Sequence, residues 1–274
     1  MNLHFTVLGA NGFIGSHLVA YLRGEGHECH APEKGDEAIF QAPLGHVIYA
    51  IGLTADFRDR PLATVEAHVC VLRRLMAEGD FESLTYLSST RVYANSNATS
   101  ETATLLVNPS ESGDLYNISK LMGESLCLHG GRLNAKVIRL SNIVGLRIDA
   151  DSFIDQLLEE GYSTGRIELH TRLDSKKDYL YIDDAVSLIG AIALSSMSGI
   201  FNVASGEGVE NAQVIHFLEM KMGFHSSVSA DAPMRDFVQI DITKIRDAFG
   251  FNPRKFSDYF PCFLDLARQI KDSK

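Results

Sequence analysis

Short apolar runs alternate with amphipathic stretches along the first half of the chain. The runs typical of buried strands are residues 3–8, 27–31, 46–50, 83–87 and 136–140. Between them, residues 16–23 and 62–78 carry apolar side chains at helical spacing. Strands that alternate with helices predict an α/β fold with a doubly wound parallel sheet.

The first predicted strand runs directly into a glycine-rich segment, residues 9–15. Gly9 permits a tight turn, Gly12 lets the backbone approach a pyrophosphate, and Gly15 allows close packing of helix on strand. The start of the following helix offers free N–H groups and a positive dipole end to phosphates. The segment therefore predicts a dinucleotide site that includes Gly9, Asn11, Gly12, Phe13, Ile14 and Gly15.

The second predicted strand ends near an acidic residue. Glu33 stands 24 positions after Gly9, close to the roughly 20 positions at which a carboxylate meets the adenosine ribose in such folds. A carboxylate there accepts hydrogen bonds from the ribose and repels a 2′-phosphate, so the sequence favours NAD over NADP. Small residues at the ends of the next two strands are further expected neighbours of the cofactor: Ala50, Gly52, Thr54 and Ser88.

Tyr116 and Lys120 stand four positions apart, downstream of the hydroxyl run that contains Ser89. On a helix, residues i and i+4 share a face, so the phenol and the ammonium would point into one pocket. A lysine charge roughly 4 Å away would favour the phenolate by up to about 4 kcal/mol. Because the reference pKa of tyrosine is about 10, this charge would bring Tyr116 towards the range of a general base. Ser89, Tyr116 and Lys120 are therefore the candidate catalytic residues.

In their order and spacing these motifs resemble the extended short-chain dehydrogenases/reductases, specifically the NAD-dependent epimerase/dehydratase group that works on nucleotide sugars. Besides the glycine loop and Tyr-x-x-x-Lys, the resemblance rests on residues 87–93, 139–145, 177–185, 201–206 and 243–253. It implies a Rossmann-type fold. Residues 1–145 would form the cofactor half, to which later segments return, and residues 146–274 would mainly form a smaller substrate-binding portion.

The resemblance also implies roles for individual residues. Tyr116 would move the proton of a sugar hydroxyl during hydride transfer with NAD, Lys120 would also bind the nicotinamide ribose, and Ser89 would hold the substrate oxygen. Ser88, Tyr116 and Lys120 would all contact the cofactor. The expected contacts to a nucleotide-sugar substrate are Thr90, Arg91, Asn142, Lys177 and Arg235. Relatives pair through the helix that bears Tyr-x-x-x-Lys, so a homodimer is expected.

Departures from the family pattern exclude some of the family's reactions but do not identify a single one. The 4,6-dehydratases carry an Asp-Glu pair where this chain has Thr90 and Arg91, and epimerase-reductases acting at two carbons have a cysteine at the position of Arg91. The family's Asn-x-x-Gly-Thr segment is not recognisable around residues 66–69. Epimerisation at C4 and reduction of a keto sugar remain. The alternatives are a cofactor-binding regulatory protein without turnover and a reductase of a small non-nucleotide carbonyl.

Composition limits the other classes of function. The 274 residues carry a formal net charge of −10, which argues against nucleic-acid binding because that requires a basic face. Four cysteines lack CxxC spacing and ten histidines show no metal-ligand pattern, so we expect reduced thiols and no metal. No secretory leader and no apolar run long enough to cross a bilayer is recognised, so a cytoplasmic protein without a membrane span is expected.

Two stretches of the sequence are unusual in length. Residues 36–44 leave little room for the strand and helix that the family usually has after the second strand, so this part of the sheet is expected to be missing or rudimentary. The polar stretch 95–114 is long for a compact domain and is expected to form a substrate loop or a mobile lid.

Overall fold

The computed structural model describes residues 2–53, 56–132, 134–146, 152–235 and 237–273. The elements of the first half are β1 (His4–Leu8), α1 (Phe13–Gly24), β2 (Glu28–His30), β3 (His46–Tyr49), α2 (Pro61–Val65), α3 (Val71–Glu78), β4 (Ser83–Ser89), α4 (Asp114–His129), β5 (Ala135–Leu140) and β6 (Asn142–Val144). Those of the second half are α5 (Phe153–Thr164), β7 (Arg166–Leu169), β8 (Lys176–Tyr181), α6 (Ile182–Leu194), β9 (Gly199–Val203), β10 (Gly208–Glu210), α7 (Asn211–Met222), β11 (His225–Val228), α8 (Thr243–Phe249) and α9 (Phe256–Asp272).

Six parallel strands form the central sheet, in the order β2-β1-β3-β4-β5-β9. Helices α1 and α6 pack on one face around a large apolar cluster, while α3 and α4 cover the other. The prediction of a doubly wound parallel sheet is therefore confirmed. The direction of winding reverses between β1 and β3, and the carboxyl ends of strands at such a point form the crevice in which these folds bind ligands.

The β2 edge of the sheet is short. β2 has three residues and pairs with β1, and the chain then forms a 3-10 turn, Glu37–Phe40, whose start is capped by the Asp36 side chain. Within the described residues no strand lies beyond β2. The sheet is thus reduced where the short stretch 36–44 predicts it.

The helix predicted over residues 62–78 is interrupted in its middle. A π-helical segment, Glu66–Cys70, joins α2 to α3, and its hydrogen bonds reach one residue further along the chain than those of an α-helix. The buried hydroxyl of Tyr86 donates to the His68 carbonyl at 3.2 Å, which satisfies a group at the interruption. The segment buries the His68 side chain completely.

A smaller unit follows in the second half of the chain. It contains a three-stranded sheet, β10-β8-β6, and a two-stranded sheet, β11-β7. Helices α5, α7 and α9 pack with these strands around a separate hydrophobic core. By contrast, α6, β9 and α8 belong to the first unit, since β9 is a strand of the central sheet and α8 packs against it. The two units are therefore interleaved in sequence.

The polar stretch 95–114 is anchored to the fold along its first part. The Thr99 hydroxyl donates to the Gln239 carbonyl at 2.7 Å, and the Glu101 carboxylate accepts the Asn202 N–H at 3.0 Å. Residues 106–112 are all exposed. A substrate loop or lid is therefore an expectation for residues 106–112 only.

Candidate active site

The glycine loop between β1 and α1 has the close contacts that its motif predicts. Gly9 has a φ of +88°, which L side chains rarely adopt, and a Cβ there would lie 2.8 Å from the Ala50 carbonyl. A Cβ on Gly15 would overlap the Gly9 carbonyl oxygen. Gly12 begins α1 without a side-chain cap. These residues fit a dinucleotide, because they leave room for a phosphate at the start of the helix.

Asn11 connects this loop to the end of β2. Its Nδ2 donates to Oε2 of Glu33 at 3.2 Å, and both side chains are exposed. Phe13 and Ile14 are half-buried against the core beneath the loop. The carboxylate that the sequence predicts as a ribose ligand thus lies beside the predicted pyrophosphate loop.

The chain leaves β3 next to the Tyr-x-x-x-Lys helix. A Cβ on Gly52 would lie 3.3 Å from Nζ of Lys120 and 3.3 Å from Nε2 of His68. Gly52 therefore lies where the edge of the sheet that is expected to bind the cofactor meets the helix that carries Tyr116 and Lys120. Thr54, the other residue expected there, lies outside the described residues.

β4 and α4 place Ser89 close enough to Tyr116 to act on the pKa of its phenol. The Ser89 hydroxyl accepts the backbone N–H of Arg91 at 3.2 Å, so its own proton is available to the Tyr116 oxygen. Tyr116 lies in the first turn of α4 and is 5% exposed. Two of the three predicted catalytic groups therefore lie near each other.

Burial raises the pKa of Tyr116 above its ordinary value. The hydrogen bond from Ser89 and the charge of Arg91 act in the opposite direction, and the Arg91 guanidinium lies 5.8 Å from the centroid of the Tyr116 ring. The sequence assigned this pKa-lowering charge to Lys120. In the structure, the cation that favours the phenolate is Arg91, and the contribution of Lys120 stays a prediction.

Lys120 is directed towards the backbone of β4. Its Nζ donates to the Leu87 carbonyl at 2.9 Å and lies 5.9 Å from the centroid of the Tyr116 ring. Burial lowers the pKa of Lys120 to about 7, although the nearby charge of Glu124 raises it. The ammonium can therefore lose its proton near neutral pH.

His68 is a residue of this site that sequence reasoning missed. Its Nε2 accepts the N–H of Leu53 at 3.2 Å, so its Nδ1 carries the proton and donates to the Ser119 hydroxyl at 2.8 Å. Ser119 donates in turn to the Tyr116 carbonyl at 2.9 Å. Burial, with a smaller effect of the Lys120 charge, lowers the pKa of His68 to about 2. A neutral imidazole thus connects the segment after β3 to the catalytic helix.

Ser88 uses its hydroxyl within the fold. The hydroxyl donates to Glu124 at 2.5 Å, and Glu124 forms a buried ion pair with Arg139 at 2.7 Å. Arg139 also donates to the hydroxyl of Tyr93 at 2.7 Å. Because its hydroxyl is already bonded, Ser88 is expected to contact the cofactor only through its backbone. The hydrogen-bond network of Ser88, Glu124 and Arg139 also holds the end of β4, where Ser89 lies.

Thr90 and Arg91 continue from β4 as a 3-10 turn. The Thr90 hydroxyl donates to a β5 carbonyl at 3.5 Å. The Arg91 guanidinium lies 5.2 Å from the ring centroid of Phe57, and the guanidinium of Arg58 lies 4.5 Å from the same centroid. Arg58 is a second cation near Tyr116 that the sequence did not indicate.

The remaining predicted substrate residues lie on β6, on β8 and near residue 235. Asn142 is exposed and its Nδ2 donates to a β8 carbonyl at 2.8 Å. Burial and, to a smaller extent, the charge of Arg235 lower the pKa of Lys177 to about 8. Arg235 also lowers the pKa of Arg91, after the larger effects of burial and of Arg58. These cations are therefore close enough to repel one another.

Neither a membrane span nor a metal site is found in the described ranges. None of the helices there combines the length and hydropathy that a membrane span needs. In the same ranges, His, Cys, Asp and Glu side chains form no group of three placed to hold a metal ion.

Comparison of the sequence with known families gives a match over most of the chain. A profile described as the NAD dependent epimerase/dehydratase family matches residues 5–204. The chain is 28% identical over 203 residues to dTDP-4-dehydro-6-deoxyglucose reductase of Escherichia coli, a match that covers 70% of this chain and 63% of that enzyme. It is 27% identical over 252 residues to GDP-6-deoxy-D-mannose reductase of Pseudomonas aeruginosa, with 80% of each covered. The first of these matches spans less than two-thirds of the relative's length.

Comparison with solved structures gives similarity over nearly the whole chain. UDP-glucuronic acid 4-epimerase from Bacillus cereus, in complex with UDP-glucuronic acid and NAD, has a TM-score of 0.80 at 18% identity. The alignment covers 97% of this chain and 99% of that one. At this level of identity the likeness concerns the fold.

Proposed function

Because the chain belongs to the NAD dependent epimerase/dehydratase family, we propose that it catalyses reversible hydride transfer at a carbon of a nucleotide-linked sugar. The prediction of an NAD-dependent enzyme of the extended short-chain dehydrogenase/reductase type is confirmed by this membership. The observation that supports the finer proposal is that Ser89, at the end of β4, lies near the buried Tyr116 on α4 and lowers its pKa. The pair lies at the carboxyl end of β4, which shares its edge of the sheet with the glycine loop.

NAD is the cofactor of the family, and when bound it accepts or supplies the hydride. In this chain the glycine loop would hold its pyrophosphate and Glu33 its adenosine ribose. The carboxylate at the end of β2 supports NAD rather than NADP, because it would repel a 2′-phosphate. Lys120 and the loop at Gly52 would contact the nicotinamide end, since a Cβ on Gly52 would lie 3.3 Å from the Lys120 ammonium.

Proton transfer is the part of the reaction that the protein's own groups perform. In the oxidative direction Tyr116 takes the proton of the reacting hydroxyl, and in the reductive direction it returns a proton to the developing alkoxide. Ser89 donates a hydrogen bond to the same oxygen and so stabilises its negative charge. Arg91 favours the phenolate of Tyr116, against the effect of burial.

Reduction of a keto sugar is the direction that we propose first. By resemblance, Thr90 and Arg91 stand where a dehydratase of this family has an acid and a base. Neither replaces a carboxyl group, because a threonine has only an alcohol and a guanidinium does not lose its proton near neutral pH. The two curated relatives named above are reductases of nucleotide-linked sugars. Epimerisation at C4 is the second candidate, since it requires the same Ser-Tyr-Lys set.

The test is a cofactor-and-substrate screen on the purified protein. The absorbance of reduced nicotinamide is recorded with NADH or NADPH across a panel of UDP-, GDP-, dTDP- and CMP-linked sugars and their keto forms. Stoichiometric oxidation of NADH by a keto sugar supports a reductase. Interconversion of two sugars with retained NAD and no net absorbance change identifies an epimerase.

Two further outcomes of the screen correspond to the alternative functions. Oxidation of NADH by a small carbonyl, with no response to any nucleotide sugar, would identify a reductase of small substrates. Tight cofactor binding without turnover of any compound, and with a Tyr116→Phe variant indistinguishable from wild type, would identify a regulatory protein.

We also propose that two copies of the chain associate through α4 and act in the cytoplasm. Met122 and Leu128 on α4 and Leu62 on α2 are exposed, and α2, α3 and α4 pack beside one another. Exposed apolar side chains on neighbouring helices favour association. Four unpaired cysteines support a reducing compartment. A monomeric mass in light scattering at micromolar concentration would remove the dimer proposal, and cell fractionation tests the location.

A further inference from the structure

Two arginines of the active site carry like charges at close range. The Arg58 and Arg91 guanidinium groups lie 4.5 and 5.2 Å from the ring centroid of Phe57. A Cβ on Gly113 would lie 3.4 Å from a terminal nitrogen of Arg91 and 3.5 Å from one of Arg58. Both cations therefore meet at the residue that begins α4, where the helix dipole adds further positive potential.

Neither charge is neutralised within the part of the chain that the structure describes. The ion pairs formed there by neighbouring arginines include neither Arg58 nor Arg91, and Nε of Arg91 is buried without a hydrogen-bond partner. Arg60, on the same segment as Arg58, instead pairs with Asp56 at 2.9 Å. The Asp114 carboxylate has a small effect on the pKa of Arg91, but it already accepts hydrogen bonds from the Asn108 N–H and from Asn117.

Such an arrangement is unfavourable unless an anion reaches both groups. Guanidinium groups bind planar, two-oxygen anions through paired N–H donors. A Phe ring that holds two guanidinium planes restricts their rotation, so less entropy is lost when the anion binds.

We propose that Arg58 and Arg91 bind a carboxylate carried by the sugar of the substrate, next to the carbon on which Tyr116 acts. This inference rests on the proposed function and names its substrate class, a nucleotide-linked uronic acid or its keto form. A nucleotide-linked uronic acid has two anionic groups, the sugar carboxylate and the diphosphate, and the position of Arg91 indicates that the arginines bind the carboxylate. Arg91 is two residues after Ser89, and its guanidinium is 5.8 Å from the Tyr116 ring centroid, so it faces the reacting sugar. Lys177 and Arg235 remain for the diphosphate.

The experiment compares matched ligands by calorimetry on the enzyme loaded with NAD. UDP, dTDP and GDP are titrated first to find the nucleotide that binds. Two sugars on that nucleotide follow, identical except that one has a carboxylate and the other a hydroxymethyl group on the ring. Wild type is expected to bind the acidic sugar about tenfold or more tightly, as a charge-assisted hydrogen bond allows.

Three variants separate the carboxylate from the diphosphate. Arg91→Gln and Arg58→Gln should each remove most of this preference and leave the affinity for the nucleoside diphosphate alone unchanged. Arg60→Gln, which removes a paired cation from the same segment, should keep the preference.

Other results would overturn the inference. Equal affinity of the wild type for the two sugars would do so. So would a loss of affinity for the nucleoside diphosphate alone, in Arg91→Gln and Arg58→Gln, as large as the loss for the acidic sugar. Turnover of neutral sugars with rejection of acidic ones would also overturn it, while leaving the proposed function intact. Absence of binding and turnover for every nucleotide sugar would overturn both.

Discussion

Nδ1 of His68 donates to the Ser119 hydroxyl at 2.8 Å, across 51 positions of sequence. Ser119 stands between Tyr116 and Lys120 on α4, and its hydroxyl also bonds the Tyr116 carbonyl. The rotation of the helix about its axis, and with it the direction of both side chains, is therefore coupled to the imidazole. We assign His68 a positioning role.

Stability should fall in mild acid because of His68. Its pKa is about 2 in the folded state and 6.5 ordinarily, so below pH 6.5 the unfolded chain binds a proton that the folded chain does not. The free energy of unfolding should therefore decrease as pH falls below about 6.5, by up to about 1.4 kcal/mol per unit. Urea unfolding between pH 7.5 and pH 5 measures this slope.

Variants of His68 test whether the slope has this origin. His68→Gln cannot ionise and should flatten the slope, whereas the exposed control His129→Gln should retain it. His68→Ala should lose about 2 kcal/mol at pH 7.5, because the Leu53 N–H is left unsatisfied, and its kcat should fall about tenfold or more through misplaced catalytic groups. A slope unchanged in His68→Gln would show that another group titrates.

Lys120 should destabilise the fold at neutral pH. Its folded pKa of about 7 lies below the ordinary 10.5, so between these values the unfolded chain holds one more proton and stability rises with pH. Below pH 7 both states carry the charge, and the cost of burying it is fully present. Lys120→Met should therefore be more stable than wild type at pH 6, on the order of 3 kcal/mol.

This gain should shrink as the pH rises and disappear above about pH 10. Thermal unfolding of Lys120→Met from pH 6 to pH 10 checks the trend, with the exposed Lys34→Met as a control that should show none. A Lys120→Met protein less stable than wild type at pH 6 would contradict the burial of an ionised lysine.

The glycine loop offers a test of the cofactor site within one helix. Gly15→Ala would place a Cβ against the Gly9 carbonyl oxygen, and the forced shift should cost about 2 kcal/mol and weaken NAD binding. Gly24→Ala, at the other end of α1, meets nothing within 4 Å and should be neutral or slightly stabilising. Differential scanning fluorimetry with and without NAD compares them. Equal NAD-induced shifts in both variants would argue against this loop as the pyrophosphate site.

Local pattern in the sequence was sufficient for the framework of the site. The strand, glycine loop and helix from residue 4 to residue 24 follow from apolar periodicity and glycine placement, and both operate over a few residues. Tyr116 and Lys120 were found because i, i+4 spacing on a helix fixes their common face. The position of Ser89 at the carboxyl edge of the sheet followed from the parallel order of strands.

Contacts between distant segments were not accessible in the same way. The π-helical segment places the His68 ring against α4. No short-range sequence pattern predicts such a segment. The one indication in the sequence was that the family's usual motif is not recognisable at residues 66–69. Arg58 lies in a loop whose path depends on the packing of Phe57. The i, i+4 rule also could not include the Leu87 carbonyl, which accepts a hydrogen bond from the Lys120 ammonium.

The most direct test of the account is the turnover of Tyr116→Phe, measured with the sugar that gives activity in the substrate screen. NAD affinity is measured in parallel, and Tyr162→Phe, which removes another buried hydroxyl far along the chain, serves as the control. Loss of the proton donor should lower kcat by roughly a thousandfold while NAD affinity changes little, and Tyr162→Phe should remain active. A Tyr116→Phe enzyme that turns over at the wild-type rate would contradict the assignment of Tyr116 as the group that moves the proton.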